Sequence, residues 1–230
     1  WWVLRPLVVA GDWVVELLGS TLRLGWGLAI IGLALVMRIL LLPVSRFTAA
    51  AQEKVAIQEA QLRPVFADIR REKKGEEAHM ALLAAHSDLG ISTTYRIRPV
   101  LGALVQIPFL VAIFHLLGFM PQLEGQGFLW ISDLSLPDAI ASLPFTVPGF
   151  GGEVSLLPFV MAASVVVSGR LSIPQIATPA ERKKRMRNAV LTAAAFLLLL
   201  YPFPAALLLY WTMTNVLQIA EGFVRGRIGK

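Results

Sequence analysis

The stretch NAVLTAAAFLLLLYPFPAALLLYWTMTNVLQIA, residues 188–220, runs for 33 residues without a charge. A helix needs about 20 predominantly apolar residues to cross a bilayer, so this stretch is long for one crossing. Its flanks decide how it is used. Residues 170–187 hold six basic residues and one acidic, and residues 221–230 hold three basic and one acidic. Lys and Arg beside membrane spans stay on the cytoplasmic side, so two basic flanks demand an even number of crossings. Pro202 and Pro204 lie near the middle, where a helix cannot continue comfortably. The stretch therefore reads as a hairpin of two helices turning at Tyr201-Pro202-Phe203-Pro204 on the outer face.

The rest of the chain follows the same pattern. Residues 24–37, 99–123 and 154–169 are also free of charge. Of the 230 residues, 56% are hydrophobic and 16% charged, whereas an average soluble domain has about 25% charged residues. That balance excludes an ordinary soluble domain and a disordered chain. A transmembrane β-barrel would show alternating segments of about 10 residues instead. With no cysteine, disulfide and thiol chemistry are excluded.

Charge by segment gives the topology. Residues 44–98 hold nine basic and seven acidic residues, and residues 119–153 hold no basic and four acidic. Segments 44–98, 170–187 and 221–230 are thus expected in the cytoplasm and segment 119–153 outside. The expected fold class is an all-α polytopic membrane protein with five spans, at about 24–43, 99–119, 155–170, 184–201 and 204–222. Its N-terminus is outside and its C-terminus cytoplasmic. The net charge of +6 then reads as a topology signal rather than as a nucleic-acid surface.

Two segments stand apart from the spans. In residues 1–23, Arg5, Asp12, Glu16 and Arg23 fall within an arc of about 40° on one helix. This predicts an amphipathic helix lying in the outer interface; the alternative is a sixth span with charges at its centre. Residues 44–98 mix charged and apolar residues at helical spacing and are broken at Lys73-Lys74-Gly75. They predict a helical hairpin in the cytoplasm, inserted within a core of residues 24–230; the alternative is a solvated spacer.

Catalytic signatures are missing. No glycine-rich loop with Lys-Ser or Lys-Thr suggests ATP hydrolysis. His79, His86 and His115 do not pair at helical spacing, so no metal site, cofactor or enzyme activity is expected. Ser164 and Ser168 lack the setting of an intramembrane protease. Glu and Asp are missing from the uncharged stretches 24–37, 99–123, 154–169 and 188–220, which disfavours a proton-coupled transporter.

One charge does stand inside a span. Arg38 lies in LALVMRILLLP, residues 33–43, eight residues before Arg46. At 1.5 Å per residue this is about 12 Å, within the hydrocarbon on its cytoplasmic half. Placing an arginine at a helix centre costs roughly 2.5–3.5 kcal/mol on insertion scales. Either the side chain snorkels to the headgroups, or it faces a water-filled cavity among the helices. The last span offers a wall for such a cavity. Trp211, Thr214, Asn215 and Gln218 share an arc of about 100° on one helix face. Hydrogen bonding between packed helices is the other use for such residues. Gln106, two before Pro108, is a further polar candidate. Together these residues would make a groove with one cation, several neutral polar groups and no bound counter-ion.

Four motifs resemble the YidC/Oxa1/Alb3 family of membrane protein insertases. MRILLLP, residues 37–43, resembles its first core span, with an arginine shortly before Leu-Pro. QIPF, residues 106–109, resembles the Gln-x-Pro-Phe of the second span. FLWISDL, residues 128–134, resembles an external motif, and FPAALLLYWTMTN, residues 203–215, resembles the final span. Their order and spacing match across nearly the whole chain. The resemblance implies insertion of proteins into the bacterial plasma (inner) membrane without ATP. It implies a hydrophilic groove, open to the cytoplasm and lipid, in which Arg38 matches the groove arginine. Gln106 and Trp211 match groove-lining positions, and Tyr210 and Asn215 fall in the same motif as Trp211. The expected partners are nascent membrane proteins and the lipid bilayer, with a Sec-type translocon and ribosome as further candidates, and no nucleic acid directly. The large external domain and the long basic tail of some members are not expected here. Residues 87–98 also lack the family's Asn-Pro and glycine-rich stretch. A specialised insertase paralog, or a channel or transporter using the same groove for small solutes, are the alternative readings.

Overall fold

A computed structural model describes all residues except 1, 3, 96, 148–149, 175 and 229–230. Arg96 and Lys230, two of the basic residues that set the expected topology, lie outside the described residues. The chain is mostly helical. Among the described residues eight α-helices appear in chain order: α1 (Arg5–Glu16), α2 (Trp26–Leu40), α3 (Leu42–Glu72), α4 (Gly75–Asp88), α5 (Ile97–Gly118), α6 (Leu157–Leu171), α7 (Pro179–Leu200) and α8 (Ala205–Ile228). They belong to two compact units, one of residues 1–40, 108–173 and 183–230, the other of residues 41–107 and 174–182.

Proline sets several helix starts. Pro43 and Pro158 stand in the first turns of α3 and α6, where a missing N–H costs nothing because the first four amides have no intrahelical partner anyway. The first expected span therefore ends as a helix at Leu40, three residues short of the expected 43. Pro202 and Pro204 occupy the break between Leu200, the last residue of α7, and Ala205, the first of α8.

In the first unit α8 packs against α2 and α6, and α1 packs against α2. Fully buried side chains from separate elements meet in one core, among them Ile30, Leu33, Ile113, Leu117, Met161 and Leu208. The contact is close. A side-chain carbon at Gly27 on α2 would lie 2.1 Å from the Phe128 ring, so only glycine fits there.

The all-α expectation needs a correction in segment 119–153. Strands β1 (Ala139–Val147) and β2 (Gly151–Ser155) pair antiparallel, with Ala139 opposite Ser155 and Ser142 opposite Glu153. Gly151 turns with a φ of +80°, and a glycine turn between two short runs bearing β-branched and apolar residues is the ordinary recipe for a hairpin. Reading the segment by charge alone hid that signal.

The loop before this hairpin ties together the ends of α6 and α8. Asp138, 2% exposed, accepts at Oδ2 from the Trp130 indole N–H (3.0 Å) and from the amides of Leu156 (3.1 Å) and Leu157 (2.7 Å). It thus caps the start of α6 from 19 residues away, where amides lack partners and the helix dipole favours an anion. The first amides of α8 are met likewise: Ala205 donates to the Leu136 carbonyl (2.8 Å) and Ala206 to that of Leu134 (3.0 Å). Asp133 shapes the loop itself, accepting from Gly125 N–H and from the Ser135 amide and hydroxyl. The Ser135 hydroxyl foremost, with the Gly125 amide, holds its carboxyl below the usual range. Tyr201 closes the hairpin: its hydroxyl donates to the Glu153 carbonyl and accepts from the Ser155 amide, both at 3.1 Å.

In the second unit α3 and α4 pack on each other. Lys73 and Lys74 are extended and Gly75 has a φ of +63°, a left-handed turn that glycine adopts freely. Leu62, Ile91 and Tyr95 form a small core with Val55 and Phe66. The first turn of α7 also belongs here. Thr178 and Glu181 form a capping box, the Thr178 amide donating to Glu181 Oε2 (2.8 Å) and the Glu181 amide to Thr178 Oγ1 (3.3 Å). Arg63 on α3 donates to both oxygens of Glu181 at 2.7 Å.

Large apolar side chains remain exposed along the helices, such as Leu35, Val36 and Ile39 on α2, Leu104 and Val111 on α5, and Leu198 and Leu199 on α7. Patches of this extent do not suit a water-facing surface. Among the described residues, Pro99–Gly118 is the one unbroken helix long and apolar enough to cross a membrane by itself. Helices α2 and α6 have 15 residues each, or about 22 Å of rise against a hydrocarbon core of about 30 Å.

Candidate functional site

Arg38 is in the last turn of α2, with 18% of its side chain exposed. Its Nη2 donates to Glu221 Oε2 on α8, forming an ion pair whose acidic partner is also 18% exposed. The expectation of a cation without a counter-ion is thus overturned. Helix α8 runs beyond the expected 222 to Ile228 and carries Glu221 at the level of Arg38. The sequence holds the signal. Glu221 is three residues beyond Gln218 and seven beyond Thr214, so it extends the polar stripe of 211, 214 and 218 by one turn. Treating residue 221 as the start of a tail concealed it. The guanidinium is only partly satisfied: Nε is buried and has no hydrogen-bond partner among the described residues.

The polar face of α8 divides between packing and exposure. Asn215 Nδ2 donates to Ser164 Oγ on α6 at 3.0 Å, and that hydroxyl donates to the Met161 carbonyl at 2.6 Å. Ser164 is buried, a helix-to-helix contact that sequence reading did not foresee. Thr214 turns its hydroxyl back to the Trp211 carbonyl (2.8 Å), satisfying itself within its own helix. Trp211 is half-buried, its ring 5.0 Å from that of Phe196 on α7. Tyr210 is buried in the helix core and Gln218 is exposed. Thr212, unremarked in the sequence, is buried with an unpartnered hydroxyl among the described residues. Gln106 is exposed on α5 and belongs to the second unit, whereas the other candidates belong to the first.

The arrangement has no set of His, Asp and Glu that could hold a metal ion among the described residues. It offers a guanidinium with one bond donated and one donor held back, beside a helix bearing neutral polar groups. That is binding chemistry for a carboxylate or a polar backbone, applied between apolar helices.

Apolar helix faces and a charged pair between two of the helices define a helical membrane protein. Comparison with known proteins places it more closely. The model of the family described as 60Kd inner membrane protein matches residues 17–229. The chain belongs to this family of inner-membrane proteins, the YidC/Oxa1 family. It is 29% identical over 233 residues to a "Membrane protein insertase YidC" of Chlorobium luteolum, covering 96% of this chain and 36% of that protein. It is 31% identical to the protein of that name in Chlorobium phaeovibrioides (86% of this chain, 33% of that one). With the one in Chlamydia trachomatis the identity is 28% (88% and 26%). The chain spans about a third of the length of the curated relatives it matches.

Proposed function

We propose that this chain is a membrane protein insertase and chaperone, working without ATP through a polar path beside α2 and α8 that holds the Arg38 guanidinium. The observation that carries the proposal is Arg38: a guanidinium between apolar helices, partly exposed, with a donor to spare. Membership of a family whose relatives bear the name insertase supports it.

The mechanism is one of barrier lowering. A hydrophilic tail crossing hydrocarbon must shed its water, at a cost of several kcal/mol for each unsatisfied polar group. A charge and hydrogen-bonding groups held part-way into the bilayer replace some of that water and shorten the stretch to be crossed. Arg38, Gln106, Tyr210, Trp211, Thr214, Asn215 and Gln218 are the residues assigned to this path. The client's apolar segment leaves sideways along exposed faces such as Leu104 and Val111 of α5.

The topology proposed with it has five crossings, the N-terminus outside on an interfacial α1 and the C-terminus in the cytoplasm. The α3–α4 hairpin then meets clients on the cytoplasmic side. Nascent membrane proteins are the partners; a Sec-type translocon and the ribosome are further ones. Expression in cells depleted of their own insertase tests the activity. Restored growth and restored insertion of small single-spanning proteins are expected, and failure by stably expressed protein would contradict a general insertase and favour a specialised paralog.

A further inference from the structure

Arg38 is bound to its counter-ion in an unusual way. The side-on edge of a guanidinium presents Nε–H and Nη2–H in parallel, the fork that takes a carboxylate with two bonds. Here Glu221 takes Nη2, and Nε, on that same edge, is buried with no partner among the described residues. A buried donor left unbonded costs on the order of 1–3 kcal/mol, so one-point binding of this edge leaves a better ligand something to gain. Both side chains keep 18% exposure, so the pair can be reached. Glu221 is attached to α8 and is limited in how it can turn; a carboxylate on an extended chain is not.

We propose that Glu221 is a resident counter-ion that an acidic residue of a client displaces from Arg38, which makes Glu221 a specificity-determining residue of the insertase. This rests on the insertase function proposed above. At rest Glu221 neutralises Arg38, so the cation does not stand unpaired between apolar helices, where a lone charge is strongly destabilising. An Asp or Glu in a translocating tail takes the Nε–Nη2 edge with two bonds, and Glu221 swings out toward the exposed Gly222 and Phe223. A neutral tail cannot make this exchange and passes a site that is already neutral. Glu221 thereby sets how strongly a tail must compete before it is held.

The test uses the full chain in lipid nanodiscs and a fluorescent peptide bearing two aspartates, with its Asp→Asn counterpart as control. Glu221→Gln removes the competitor. It is expected to bind the acidic peptide at least about twelve-fold more tightly than wild type, the low end of the coupling seen for close charge pairs, and to leave the neutral peptide unchanged. Equal affinity of wild type and Glu221→Gln for the acidic peptide would overturn the proposal. Should that variant not fold, the wild type serves: the Arg38 Nε resonance, assigned by its loss in Arg38→Lys, is expected to shift with the acidic peptide and not with the neutral one. A resonance blind to both overturns the proposal as well. Insertion in proteoliposomes is read separately. Wild type that inserts clients but shows no exchange contradicts this inference alone, whereas wild type that inserts nothing contradicts the insertase reading.

Discussion

The carboxylate of Asp138 caps helix α6 from outside it, its Oδ2 lying 2.7 Å from the amide nitrogen of Leu157 and 3.0 Å from the indole nitrogen of Trp130. One buried carboxylate thereby joins the loop before β1 to the helix that Asn215 of α8 also contacts through Ser164.

Replacing Asp138 by Ala leaves the Leu156 and Leu157 amides and the Trp130 indole without their acceptor. Loss of a cap costs about 0.5–2 kcal/mol, and a buried donor without a partner about 1–3 kcal/mol more. Thermal unfolding in detergent should show a clear fall in Tm. Trp130→Phe, which removes one donor and leaves the two amides bonded, should lower it less. Equal losses would place the effect elsewhere than in the cap.

Gly27 and Phe128 are a matched pair. Because a carbon at residue 27 would lie 2.1 Å from the ring, Gly27→Val must push the loop off α2. Overpacking of this kind costs about 1–3 kcal/mol. Phe128→Ala opens the space, so the double variant should lose less than the two single losses added together. Strict additivity in that cycle would mean that the residues do not meet.

The Arg63–Glu181 contact predicts a pH dependence in the second unit. The Thr178 amide foremost, then the Thr178 hydroxyl and the Arg63 guanidinium, hold the Glu181 carboxyl below its ordinary 4.5. A carboxylate with a depressed folded pKa adds stability that is fully present above its unfolded pKa and is lost as pH falls through the folded value. Glu181 is 35% exposed, so solvent reduces the size of the effect. Hydrogen exchange at the first amides of α7 should be faster in Glu181→Gln than in wild type at pH 7. The two should converge once the pH is well below 4.5. A difference that persists in acid would show that charge is not its source.

The sequence made parts of this legible and hid others for physical reasons. The mostly helical fold follows from long uncharged runs, and the break between α7 and α8 from Pro202 and Pro204, because apolar length and proline act locally. Family resemblance was legible because four motifs keep their order. The β1–β2 hairpin is hidden because a glycine turn between two short runs is a weak signal beside a charge count. Glu221 was missed because a helix that continues past an apolar stretch looks like a tail from sequence; only the packing of α8 on α2 brings it to Arg38. Ser164 was set aside as a poor nucleophile, and it proves to be the acceptor of Asn215, a role that depends on which helix lies opposite.

The central claim is that charge at residue 38 carries polar segments into the membrane. The most direct measurement is the initial rate of insertion of a single-spanning client with an acidic external tail into proteoliposomes holding wild type, Arg38→Lys or Arg38→Ala. Lysine keeps the charge and is predicted to retain most of the rate. Alanine removes it, and with it the ion pair to Glu221, and is predicted to lose about ten-fold or more, the scale of 1.4 kcal/mol or above in a barrier. Insertion by Arg38→Ala at the wild-type rate would contradict the account.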